Sequence, residues 1–131
     1  MLRLHNLTFI KGFLPLGDAA MTEHFNEIYI ALKLKEGTIF NDKELAALPD
    51  VPAFHPYSWE WSIRRHSCYK LFRYIKRHSN LCNILEVGCG NGWLSANMSK
   101  AAGVTVTGID INLVELQQAR KVFRKIRNLN L

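Results

Sequence analysis

Apolar positions recur with two different periods along the 131-residue chain, and the period changes near Asn80. In the front part Met21, Phe25, Ile28 and Leu32 return at intervals of 4, 3 and 4. That is helical spacing, and it predicts a helix entered at a cap on Asp18 and left near Gly37. Ile28, Ile30, Leu32 and Leu34 also alternate, so a hairpin over Ile28 to Phe40 stays open as a rival. Asn41 followed by Glu44 has the form of a capping box, which predicts a short helix from Asp42 to Leu48 stopped by Pro49. From Tyr57 to His78 the chain has no Gly or Pro, and Trp61, Cys68, Leu71, Phe72 and Ile75 fall toward one helical face. This stretch predicts the longest helix.

Beyond Cys82 the pattern becomes that of strands joined by helices. Ile84, Leu85 and Val87 form a short apolar run ending at Gly88, as a buried parallel strand would. Trp93 to Ala102 reads as a helix with Gly103 just past its end, and Val104, Val106 and Ile109 give a second strand that stops at Asp110. Asn112 can cap a last helix whose inner face carries Leu113, Leu116, Phe123 and Ile126. The chain is therefore expected to be α/β: an N-terminal, mainly helical segment over residues 1–80, then two strand-helix units of a Rossmann-like parallel sheet over 81–131.

A hydrophobic fraction of 48% with 21% charged residues excludes disordered and collagen-like chains. No apolar run approaches the ~20 residues of a membrane span, and Met1 to Leu16 has neither a clean apolar stretch nor an Ala-x-Ala cleavage site. Cys68, Cys82 and Cys89 are odd in number and lack Cys-x-x-Cys spacing, which points to a reducing, cytoplasmic setting. The net charge of +6 is lopsided. Met1 to His66 holds 7 basic and 8 acidic residues, whereas Ser67 to Leu131 holds 10 basic against 3 acidic, a net +7. Arg120, Arg124 and Arg127 form a stripe on the last helix, but Phe123 points inward by period, so a stacking platform for nucleic acid is unsupported there.

The stretch that carries chemistry is Ile84-Leu85-Glu86-Val87-Gly88-Cys89-Gly90-Asn91-Gly92-Trp93-Leu94. A strand that runs into Gly-x-Gly-x-Gly and then a helix lets a ligand approach bare backbone, and free helix N–H groups favour polar oxygen atoms. Glu86 stands two residues before the first glycine, and Asp110 ends the second strand 18 residues after Gly92. Both strand ends face one crevice in an open parallel sheet, where a carboxylate can accept hydrogen bonds from the vicinal hydroxyls of a ribose. The dinucleotide fingerprint Gly-x-Gly-x-x-Gly is the nearest rival; here the third glycine comes one place early and Trp93 takes its position. Glu86 also disfavours a pyrophosphate and suits an ammonium group.

At these residues, together with Val106-Thr107-Gly108-Ile109-Asp110, the chain resembles the class I S-adenosylmethionine-dependent methyltransferases. The resemblance covers about Leu81 to Arg127. It implies that Gly88 and Gly90 pass close to the methionine portion of S-adenosylmethionine, with Cys89 and Gly92 completing the loop. Glu86 would lie near the cofactor's amino group, Asp110 would hold the ribose hydroxyls, and Ile111 would pack on the adenine. Only two of the family's seven strands are expected here. The resemblance therefore implies the N-terminal part of a methyltransferase, inactive by itself, with its methyl acceptor unknown.

Methyl transfer needs alignment of the attacking atom more than a protein nucleophile, so no catalytic residue is assigned. His55, His66 and His78 with Cys68 lack metal-ligand spacing, and no metal is expected. Phe54, Tyr57, Trp59 and Trp61 could form a lid but suit ordinary packing better; Arg64 or Arg65 could reach a cofactor carboxylate. Two parallel strands with bare edges also predict self-association of the chain. The alternative from another class is a non-catalytic module that binds a nucleoside or contacts RNA through its basic half.

Overall fold

A computed structural model describes residues 19–36, 39–78, 80 and 83–131, with side chains from His24 onward. The chain divides at Thr38 into two compact units. In the first, α1 (Ala19–Lys35) is a 17-residue helix. The alternation of Ile28, Ile30, Leu32 and Leu34 thus does not produce a hairpin: with no Gly or Pro over this run, local helical bonding prevails. Phe25, Ile28 and Leu32 are nonetheless exposed. Phe25 stacks on Tyr29 at 5.9 Å, and Lys33 lies 5.2 Å from the Tyr29 ring centroid. Asp18, the expected cap, lies outside the described residues, as does Cys82.

The second unit, residues 39–131, contains α2 (Asp42–Ala47), α3 (Ser58–Arg77), β1 (Asn83–Val87), α4 (Trp93–Met98), β2 (Thr105–Ile109), α5 (Leu113–Val122) and β3 (Leu129–Asn130). The capping box forms as expected: Asn41 Oδ1 accepts from the Lys43 and Glu44 N–H groups at 3.0 Å, and Glu44 accepts from the Asn41 N–H at 2.8 Å. α3 is the 20-residue helix anticipated, with Trp61, Cys68 and Ile75 buried. α2 is joined to α5 by Gln118, which donates to the Phe40 carbonyl at 2.8 Å, and by the Lys121–Asp42 ion pair at 2.7 Å.

The sheet is parallel in the order β1-β2-β3. β3 corrects the expectation of two strands. Leu129-Asn130 is too short to show a period, and it becomes a strand by pairing Leu129 with Val106 and Asn130 with Thr107. Asn128 sets up this entry by donating from Nδ2 to the carbonyls of Ser99 and Val104, both at 2.6 Å. Strands that advance in one direction through right-handed crossovers keep both connecting helices on one side of the sheet. That side carries Ile84, Val106 and Leu129, which pack with Ile75, Met98, Ala101 and Val104 in one core. A second core gathers Phe40, Leu45, Leu48 and Trp61. In it Trp61 meets Phe40 edge-on at 5.3 Å and Trp93 at 5.4 Å.

The opposite face of the sheet is open, which corrects the expectation that β1 is buried. Leu85 and Val87 sit in register with Thr107 and Ile109, and Leu85 is 61% and Val87 75% exposed. Two helix readings also change. α4 ends at Met98 rather than Ala102, because the chain tightens into three-residue turns, with the Lys100 N–H on the Asn97 carbonyl and the Ala101 N–H on the Met98 carbonyl. On α5 Leu116 is buried as expected, together with Ala119 and Glu115, but Leu113 is exposed, and the helix stops at Val122, before Phe123, Arg124, Ile126 and Arg127. Among the described residues no helix is long and apolar enough to cross a membrane.

Candidate functional site

β1 and β2 end side by side, with Val87 paired to Ile109, and the glycine loop leaves β1 over the end of β2. The Ile109 carbonyl accepts from both the Gly88 N–H at 2.8 Å and the Cys89 N–H at 3.0 Å. Turning so sharply requires left-handed backbone: Gly88, Gly90 and Gly92 have φ of +75°, +51° and +70°. At Gly88 a Cβ would meet nothing within 4 Å, so the missing side chain leaves open space beside the backbone. At Gly90 a Cβ would come 3.0 Å from Glu115 Oε2, so this glycine is also needed for closeness to a buried carboxylate.

Asp110 ties the loop to the second strand. Its Oδ2 accepts from the Gly90 N–H at 2.7 Å and its Oδ1 from the Asn112 N–H at 2.8 Å. Each carboxylate oxygen keeps a further lone pair for a ligand hydroxyl. Asn112 in turn caps α5, its Oδ1 accepting from the Glu115 N–H at 3.1 Å. Glu86, facing the helix side of β1, accepts a hydrogen bond from the Ser95 hydroxyl of α4. Burial pushes the Glu86 carboxyl above its ordinary range; the Ser95 hydroxyl and N–H oppose that shift, and the charge of Asp110 adds to it.

All three acidic residues of the basic half, Glu86, Asp110 and Glu115, thus converge on one loop. The buried Cys89 thiol registers them: burial first, then Glu86 and Asp110, with Glu115 adding, push it up to about 11. A thiol held protonated in this way is no nucleophile at neutral pH. A cation beside Glu86 would oppose the upward shift that burial imposes on its carboxyl, so the site's electrostatics favour a positive group there. Ile111 is 69% exposed next to Asp110, and Leu113 and Val114 extend an apolar rim beside it.

Glu86, Gly88, Cys89, Gly90, Gly92 and Asp110 are therefore brought together, with Ile111 at the rim. Arg64 is engaged elsewhere: its Nε donates to Glu60 at 2.9 Å, and its guanidinium lies 5.1 Å from the Trp61 ring centroid. Arg65 lies 3.5 Å from Asp50. Among the described residues no hydrogen bond joins either arginine to the loop.

Two residues escaped the sequence reading, and of a third, Gly108, only the motif was read and not its packing. Ser95 and Glu115 reach the loop only through tertiary packing. Gly108 had a signal, a glycine inside a strand, which marks close backbone approach. A Cβ at Gly108 would lie 2.8 Å from Ser95 Oγ, 2.8 Å from Leu131 Cδ2 and 2.9 Å from Cys89 Sγ.

Residues 84–131 match a family described as a methyltransferase domain. A methionine S-methyltransferase of Wollastonia biflora is 31% identical over 97 residues, covering 70% of this chain and 8% of that protein. Ubiquinone biosynthesis O-methyltransferases of Actinobacillus pleuropneumoniae and Pasteurella multocida are each 55% identical over 38 residues. Those matches cover 29% of this chain and 16% and 15% of the two relatives. The chain thus spans less than a fifth of the length of these relatives.

Proposed function

We propose that this chain, which belongs through residues 84–131 to the class I S-adenosylmethionine-dependent methyltransferases, binds S-adenosylmethionine on the loop Gly88–Gly92 and serves methyl transfer in the whole protein. The observation that carries the reading is the placement of Asp110. Its carboxylate is fixed by two backbone N–H groups at the end of β2, directly beside a loop whose first glycine leaves open space. The cofactor supplies a methyl group on a sulfonium, and the residues here bind and orient it. Glu86 takes the ammonium of the methionine portion, and Gly88 and Gly90 let that portion lie against the backbone. Cys89 and Gly92 shape the turn, Asp110 accepts from the ribose hydroxyls, and Ile111 covers one side of the adenine.

On this reading residues 81–131 carry the cofactor-binding units, and α1, α2 and α3 precede them in the chain. The relatives' names place the methyl group on sulfur in one case and on oxygen in the others. What the names share is transfer of a methyl group, so the acceptor is left unassigned. The test is a titration of S-adenosylmethionine into isotopically labelled protein followed by nuclear magnetic resonance. The amides of Gly88, Gly90 and Ile111 are expected to shift together. Shifts confined to residues away from the loop, or none at saturating cofactor, would overturn the proposal.

A further inference from the structure

We propose that the outward face of α3 is a binding surface for single-stranded nucleic acid. This inference is independent of the cofactor reading. α3 has 20 residues and is about 30 Å long. With Trp61, Cys68 and Ile75 buried on one side, the opposite side carries Trp59, Ile63, His66, Lys70, Arg73 and Arg77, all exposed and spaced 4, 3, 4, 3 and 4. The helix holds six Lys and Arg residues against one acid, Glu60, and Arg64 occupies that acid. Among the described residues Lys70 and Arg77 have no acidic partner.

Exposed rings alternate with these cations along the face. Trp59, Tyr69 and Tyr74 are each more than half exposed. The Arg73 guanidinium lies 5.7 Å from the Tyr69 ring centroid, and Tyr74 packs on His78 with centroids 4.0 Å apart. Two shallow cavities adjoin the helix and share Ser62 and Arg65: one of about 340 Å³ reaches Val51 and Trp59, the other, of about 310 Å³, reaches His66 and Tyr69. A surface that offers cations between flat rings over tens of ångströms complements a chain of phosphates bearing flat bases.

The main rival partner is an anionic membrane. An interfacial helix needs a free apolar face to insert, and on α3 that face is already taken by the protein core. The basic run of Arg120, Arg124 and Arg127 is the rival location; α5 ends at Val122, so Arg124 and Arg127 lie beyond the helix. There Arg120 donates to the Leu131 carbonyl at 2.7 Å and Phe123 is partly buried, so no exposed ring accompanies the charges.

The probe is a fluorescein-labelled oligouridylate of about 12 nucleotides, within the usual site size for such surfaces, followed by fluorescence anisotropy. The parent is expected to bind with a log-log salt slope of about −2 for three phosphate contacts. The triple variant Lys70→Glu, Arg73→Glu, Arg77→Glu should bind at least tenfold more weakly while keeping its circular dichroism spectrum. Tyr69→Ala should bind several-fold more weakly, and Arg73→Lys with Arg77→Lys should stay within about twofold of the parent. The proposal is overturned by any of three results: a parent that ignores the oligonucleotide, whether or not it binds phosphatidylserine vesicles, a folded triple variant of unchanged affinity, or loss of binding with Arg124→Glu and Arg127→Glu instead.

Discussion

Replacing Gly108 by alanine tests how tightly the loop is packed onto the sheet. The added methyl would sit 2.8 Å from Ser95 Oγ and Leu131 Cδ2 and 2.9 Å from Cys89 Sγ, whereas carbon atoms prefer about 3.5–4.0 Å. Leu131 can rotate away. Ser95 and Cys89 cannot do so freely, because one is fully buried in α4 against Glu86 and the other is buried in the loop. Overpacking of this kind costs about 1–3 kcal/mol, offset by about 0.4–1 kcal/mol from the stiffer unfolded chain. Taken at mid-range, about 2 kcal/mol against about 0.7 kcal/mol, a net loss of about 1.3 kcal/mol remains, and at ~4–8 °C per kcal/mol for a domain of this size it should lower Tm by roughly 5–10 °C. Thermal unfolding followed by circular dichroism measures it. Because the clash already displaces the Ser95 hydroxyl, Ser95→Ala should cost less in the Gly108→Ala background than in the parent. A Gly108→Ala variant as stable as the parent would show that the loop does not press on β2 as described.

Other outcomes follow from the same geometry. Gly88→Ala meets no neighbour, so its cost is that of the left-handed backbone alone, about 1–2 kcal/mol; Gly88→Asn should lose less, and equal melting points for the two would refute this. The Glu86 carboxyl is raised on folding, so the folded state holds this proton more tightly. Its contribution to stability is therefore full below the ordinary carboxylate range and is lost as pH rises from that range through the raised value. Glu86→Gln should abolish this dependence in urea titrations across pH while weakening cofactor binding; a variant that keeps the parent's slope would contradict the assignment. The open face and outer edge of β1 predict concentration-dependent self-association by light scattering, reduced in Val87→Lys; a parent that stays monomeric at high micromolar concentration would discard it.

What the sequence disclosed was what depends on near neighbours. The Asn41–Glu44 box, the Asn112 cap and the α3 stripe all rest on contacts within a turn or two, and each formed. β3 was illegible because two residues have no period, and its pairing with Val106 depends on where α5 returns the chain. The exposure of Leu85 and Val87 was illegible for a related reason: an apolar run identifies a strand without saying how many of its faces will be covered. At the site, the glycine spacing and the acids at two strand ends announced a loop facing a crevice. The convergence of Glu115 and Ser95 on that loop depends on helix packing, which no local pattern encodes. Gly108, read only as part of the second strand's motif, had left a local trace of its close packing in being a glycine inside a strand.

The most direct test of the central claim compares S-adenosylmethionine affinity of the parent with that of Asp110→Ala by calorimetry, with Asp110→Asn as a companion that keeps one acceptor oxygen. Each hydrogen bond to a charged group is worth about 1.5–3 kcal/mol, and tenfold in affinity is about 1.4 kcal/mol. Asp110→Ala is therefore expected to bind at least tenfold more weakly, with Asp110→Asn in between. An Asp110→Ala variant that binds as tightly as the parent would contradict the claim that this carboxylate holds the ribose.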